Sequence, residues 1–203
     1  MDAGMETEPI RVTKLDAARA QLVTALDLFV RDKDPISVHC LACGGGELIE
    51  GLAEVENKEP FAAHILQTQP HLDSAGIRRR RNLYWNAFKH FFDMKGERRR
   101  DTELLQDFND TKNDIALYIA WHDYGIVVER LPVAAQVFQV WWYALNEDKL
   151  IDDAPLDTYR TAFPDITKVD RAEQKRMLRR KNTLTSEQAL EKAKAAARRA
   201  RDS

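Results

Sequence analysis

Cysteine is nearly absent from this chain: Cys40 and Cys43 are the only two among 203 residues, so a disulfide framework is excluded. No apolar run approaches the ~20 residues that a membrane-spanning helix needs. The start, Met1-Asp2-Ala3-Gly4-Met5-Glu6, is acidic and polar, where a secretory leader carries a basic and then an apolar segment. From these absences a cytoplasmic protein without a membrane span is expected. No stretch sustains the alternation of a half-buried strand, and no segment repeats at a solenoid period. Gly44-Gly45-Gly46-Glu47 lacks the Gly-Lys-Ser/Thr of a phosphate-binding loop. A length of 203 residues suffices for a real core without metals or disulfides.

What the chain does have is helical periodicity. Thr13 and Asp16 form a capping box ahead of Leu15, Ala18, Leu22, Leu26, Phe29 and Val30. Asp34-Pro35 restarts a helix, with Asp as N-cap and Pro in the first turn. The glycine triplet then either breaks that helix or thins it for a close neighbour; the thinned helix is the expectation. Further capping boxes stand at Thr111/Asp114, Thr167/Asp170 and Thr185/Gln188. The segments carrying Ile115 to Ile126 and Val133 to Leu145 are apolar on most sides and belong deep inside. Trp121, His122, Tyr124, Phe138, Trp141 and Trp142 are expected in the core.

These elements predict an all-α fold: a helical bundle of five to six main helices with a basic C-terminal helical arm. Residues 1–12 read as a disordered N-terminus, 13–166 as the bundle and 167–203 as the extension. The net charge of −2 hides an asymmetry. From Lys168 on there are 12 Lys and Arg against 5 Asp and Glu, and before it 19 against 28. A basic tail on an acidic body implies an anionic partner, nucleic acid or an acidic protein, or contact with the body itself.

The most ordered polar pattern lies in residues 75–94, expected as one central helix between Gly76 and Gly96. At ~100° per residue, Ile77, Arg81, Tyr84, Phe88, Phe91 and Phe92 share one side. Arg79, Asn82, Asn86, Lys89, His90 and Asp93 share the other. His90 suits general acid or base work near neutral pH. Arg79 or Arg81 suits neutralising an oxyanion or phosphate. Asn82, Asn86 and Lys89 complete the candidate site. Cys40 and Cys43 read as small buried thiols; the alternative is a zinc site that would recruit His64 or His71. No cofactor or metal is expected.

Arg81-Asn82, Asn86-Ala87-Phe88-Lys89-His90 and Leu131-Pro132-Val133-Ala134-Ala135-Gln136-Val137-Phe138-Gln139 resemble a family of uncharacterised small bacterial all-helical proteins. The likeness spans roughly residues 13–147 and implies a fold without an activity. Arg81-Asn82 followed by His90 also resembles the HEPN ribonuclease motif, in which an Arg, a polar residue and a His share a helix and two copies meet at a dimer interface. That resemblance implies metal-independent RNA cleavage. Eight residues separate Arg81 from His90, against the usual four to six of that family. The leading expectation is a helical interaction module, homodimeric, with the polar face of the central helix as its specific surface. A HEPN-like ribonuclease is the alternative, and nucleic-acid binding through the basic tail a further one.

Overall fold

The computed structural model describes residues 11–68 and 73–201. Residues 1–10, most of the N-terminus expected to be disordered, lie outside the described residues, as does His71. Among the described residues the fold is all-helical, with no strand and one isolated bridge between Phe92 and Arg98. No helix among them is long and apolar enough to cross a membrane.

Helix α1 (Lys14–Val30) opens on the expected capping box: Asp16 N–H donates to Thr13 Oγ1 at 3.1 Å and Thr13 N–H to Asp16 Oδ2 at 3.0 Å. Its core stripe is Ala18, Leu22, Ala25, Leu26, Phe29 and Val30. The helix closes without glycine. Asp32 takes the left-handed conformation (φ 57°), Lys33 N–H bonds Leu28 C=O and Asp32 N–H bonds Phe29 C=O. This Schellman pattern tolerates an acidic residue because short polar side chains visit the left-handed region at lower cost than most. Helix α2 (Pro35–Val55) begins on the Asp34 cap and ends the same way, with Asn57 at φ 56°.

Helix α2 runs unbroken through the glycine triplet because it lies against α1 on one side and α7 (Lys112–Val127) on the other. A Cβ on Gly45 would stand 2.7 Å from Leu22 Cγ and 3.1 Å from the Ala18 carbonyl. One on Gly46 would reach Ala120 Cβ at 3.2 Å. The glycines lower intrinsic helicity, and close packing offsets that cost.

Helix α3 (Phe61–Thr68) follows, then α4 (Ser74–Arg81) and α5 (Leu83–Lys89). The continuous helix expected over 75–94 is thus shorter and interrupted at Asn82 (φ −90°, ψ 7°). It stops at His90, whose backbone is extended. Asp93 competes with helix here: its Oδ1 accepts from Lys95 N–H and Glu97 N–H, and Gly96 sits at φ 79°. Phe91 and Phe92, expected on the core stripe, are therefore 63% and 57% exposed.

Helix α6 (Thr102–Gln106) is a short turn before α7. The cap expected from Thr111 with Asp114 is not made; Asn109 Oδ1 accepts from Thr111 instead, and Asp114 is drawn to Arg171. Helix α8 (Val133–Leu145) follows Pro132 and supplies the aromatic layer. Phe138 and Trp141 stack at 5.7 Å with Phe29 edge-on to both, and Tyr118 stacks on Trp142 at 3.7 Å. All four tryptophan and tyrosine positions expected inside, Trp121, Tyr124, Trp141 and Trp142, are buried.

Helix α9 (Leu156–Ala162) leads to α10 (Arg171–Arg201), which runs unbroken through Thr185, where a capping box was expected. Its start is capped by Asp170, which accepts from Glu173 N–H at 2.8 Å. The first turns of α10 belong to the packed body. Leu178 is fully buried, and Trp141 Nε1–H donates to Gln174 C=O. Lys175, 3% exposed, lies 2.9 Å from both Asp32 and Asp110, and Arg171 bridges Asp110 and Asp114. Part of the basic excess is thus used on the acidic body.

Gly45→Ala is expected to destabilise by about 1–3 kcal/mol, since overpacking exceeds the helix-propensity gain of roughly 1 kcal/mol. Gly51→Ala, with open space around its Cβ, should instead stabilise by up to about 1 kcal/mol. Urea unfolding reads both signs; a stabilised Gly45→Ala would refute the close approach.

Candidate functional site

The central arginine run is divided by helix periodicity. Arg81 turns toward α2, where its guanidinium meets Glu50 at 2.5 Å; the two side chains are 13% and 7% exposed. Arg78 reaches the same carboxylate at 3.9 Å and Glu54 at 3.3 Å. Arg79 pairs with Asp73 in water. Arg80 is exposed and, among the described residues, meets no carboxylate.

Between these helices lies a cleft of about 360 Å³. Its floor and walls are apolar: Phe61, Ala62 and Ile65 from α3, Ile77 from α4, and Ile115, Ala116 and Ile119 from α7. Tyr84, His39, Arg80, Arg81 and Lys112 supply the polar edge. Its volume is at the small end of the range for small-molecule sites. Lys112 is half-buried with its ammonium 5.8 Å from the Tyr84 ring.

His39 is 3% exposed and edge-on to Tyr84, Phe88 and Phe108. Asn113 Nδ2 donates to the Pro35 carbonyl, which leaves Oδ1 to accept from His39 Nδ1–H at 3.0 Å. Among the described residues Nε2 has no partner, and it is shielded from water. Desolvation pushes the His39 pKa down, against the opposing pull of the Asn113 bond, so the ring is a neutral part of the wall.

Of the expected site residues, only Arg81 borders this cleft. Asn82 is buried beside it, its Oδ1 accepting from Arg81 Nε at 3.3 Å. Asn86 is half-buried, and Lys89 folds back over the Trp85 ring at 3.9 Å. His90 stands exposed past the end of α5. Arg81 and His90 therefore sit on separate elements, with Arg81 already engaged by Glu50.

Cys43 is buried and its thiol is pushed up to about 12 by desolvation; burial also raises Cys40. Neither favours the thiolate that metal binding needs. Among the described residues no three His, Cys, Asp or Glu side chains cluster to hold a metal. His122 is held by Asp123, whose buried Oδ1 accepts from His122 Nδ1–H at 3.1 Å and from Phe61 N–H at 2.7 Å.

Sequence reasoning missed Glu50, Arg80, Lys112 and the role of His39. A signal for two of them existed. His39, Cys43, Gly46 and Glu50 recur at steps of 4, 3 and 4, placing a histidine and a carboxylate on one buried face of α2. Comparison with protein-family models, curated proteins and solved structures finds no match to this chain.

Arg81→Met leaves Glu50 with Arg78 alone at 3.9 Å. The expected cost is about 3 kcal/mol, and Glu50→Leu/Arg81→Met together should cost less than Arg81→Met alone. Chemical denaturation of Arg81→Met, Glu50→Leu and the double variant measures this, and additive losses would refute a coupled pair.

Stability should also fall on acidification through His39. The unfolded chain's histidine takes up a proton near 6.5, while the folded ring does so only lower. Below 6.5 the unfolded state binds more protons, so stability is lost until the folded value is reached. His39→Gln should flatten that part of the pH–stability profile; an unchanged profile would place the acid sensitivity elsewhere.

Proposed function

We propose that this chain is a helical binding module, its helices forming a bundle with a basic arm, and that its recognition site is the cleft among α2, α3, α4, α5 and α7. The supporting observation is the cleft itself: an apolar hollow of about 360 Å³ edged by cations. Apolar concavities with few, convergent polar groups are what small ligands occupy. The specific surface moves accordingly from the outer polar row of the central segment to its inner side, where Ile77, Arg80, Arg81 and Tyr84 face the cleft. A HEPN-like ribonuclease fits this chain less well. Its Arg is neutralised by Glu50 and its His is exposed on an extended backbone, so general acid–base work lacks a paired constellation within one copy.

The test uses the purified full chain and a neutral aminonaphthalene fluorophore. Fluorescence should rise on the wild type and be lost in Ala62→Trp, which fills the cleft from a half-buried position and should leave the melting curve cooperative. The same preparation should leave single-stranded RNA intact in EDTA. Probe binding unaffected by Ala62→Trp would remove the cleft from the proposal. EDTA-resistant cleavage abolished by His90→Ala would replace it with the ribonuclease.

A further inference from the structure

We infer that the cleft takes an amphipathic anion: an apolar body of about a dozen non-hydrogen atoms carrying one carboxylate or phosphate-monoester head. This rests on the cleft being the recognition site, and adds the chemistry of its occupant. The size follows from the volume of about 360 Å³ at roughly 30 Å³ per water-sized group.

The charge follows from the walls. Among the described residues the lining contains three cations, Arg80, Arg81 and Lys112, and no carboxylate. Arg81 is neutralised from outside the lining by Glu50. Arg80 and Lys112 are not: among the described residues neither meets an acidic side chain. They come from different elements, Arg80 from the last turn of α4 and Lys112 from the first turn of α7. Lys112 also stands at the positive end of a 16-residue helix. His39 adds no competing charge, since burial keeps it neutral. A cationic ligand would meet two uncompensated positive groups; a neutral one would leave them to water and gain nothing from them. An anionic head at the mouth, with the body against Phe61, Ile65, Ile77, Ile115 and Ile119, satisfies both halves of the lining.

The test displaces the neutral fluorophore with octanoate, octyl phosphate, octanol and octylammonium, each below its micellar concentration. Octanoate or octyl phosphate should compete at about tenfold lower concentration than octanol, as one added charge-assisted hydrogen bond gives. Octylammonium should be weaker than octanol. The ratio of octanoate to octyl phosphate tells a carboxylate from a phosphate head. Arg80→Gln and Lys112→Gln, both at the solvent edge, should close the tenfold gap between the anions and octanol. Equal competition by octanol and octanoate would overturn the anion while the cleft stands. Absence of fluorophore binding, together with no heat from octanoate in calorimetry, would overturn both.

Discussion

Helix α2 packs against its two neighbours at near-backbone distance, and that approach sets where the other helices can lie. With Gly45 against Leu22 and the Ala18 carbonyl, and Gly46 against Ala120, α2 is fixed in position and rotation between α1 and α7. Fixed rotation decides which α2 residues look where. Ala42, Ile49 and Ala53 are buried in the core, while His39 and Glu50 remain on the side that α4 and α5 cover. Glu50 then draws Arg81 inward, and the cleft forms beside that ion pair. A helix with side chains at 45 and 46 would stand farther from both neighbours, and Glu50 would no longer meet Arg81 at its present depth.

A second, electrostatic seam closes the other side. Asp32 ends α1 in a left-handed turn, and Asp110 and Asp114 precede and open α7. Arg171 and Lys175 on α10 bind all three. The chain thus places its acids where two helices begin or end and meets them with the start of its basic helix. Lys175 also lies 4.2 Å from the Phe29 ring and Arg171 5.4 Å from Trp141, so both stems cover the aromatic layer. Arg179 donates to the Val30 carbonyl at 2.9 Å, satisfying an orphan acceptor at the end of α1. Beyond this seam the remaining described side chains of α10 are exposed or half-buried.

Much of the helical layout was legible because it is written in local signals. The Thr13 and Asp34 caps, the Pro132 start and the aromatic stripe of α8 act over one or two turns, and all stand where periodicity put them. The glycine triplet was legible as a packing device because three glycines in a helix are costly without one. Two kinds of feature escaped. Helix ends set by competing turns did: the Asp93 turn stops α5 before Phe91, although the aromatic spacing runs on. Pairings across the chain escaped as well. Asp114 has the spacing of a cap, and only the fold brings Arg171, 57 positions away, to claim it. The cleft is of this second kind, since Phe61, Ile77, Arg80 and Lys112 share no local pattern.

The arginine run from Arg78 to Arg81 shows why composition alone misleads about chemistry. Four consecutive cations suggest a single basic patch. At ~100° per residue they point four ways. One is buried on Glu50, one shares Glu50 and Glu54, one meets Asp73 in water, and, among the described residues, Arg80 alone is left without a carboxylate, at the mouth of an apolar hollow. Arg81, the residue that looks most reactive in the motif, has its charge compensated and serves to hold α4 on α2. Arg80, which belongs to no motif, keeps its charge and its access to water. The charge left uncompensated on this surface thus lies one residue away from where the pattern points.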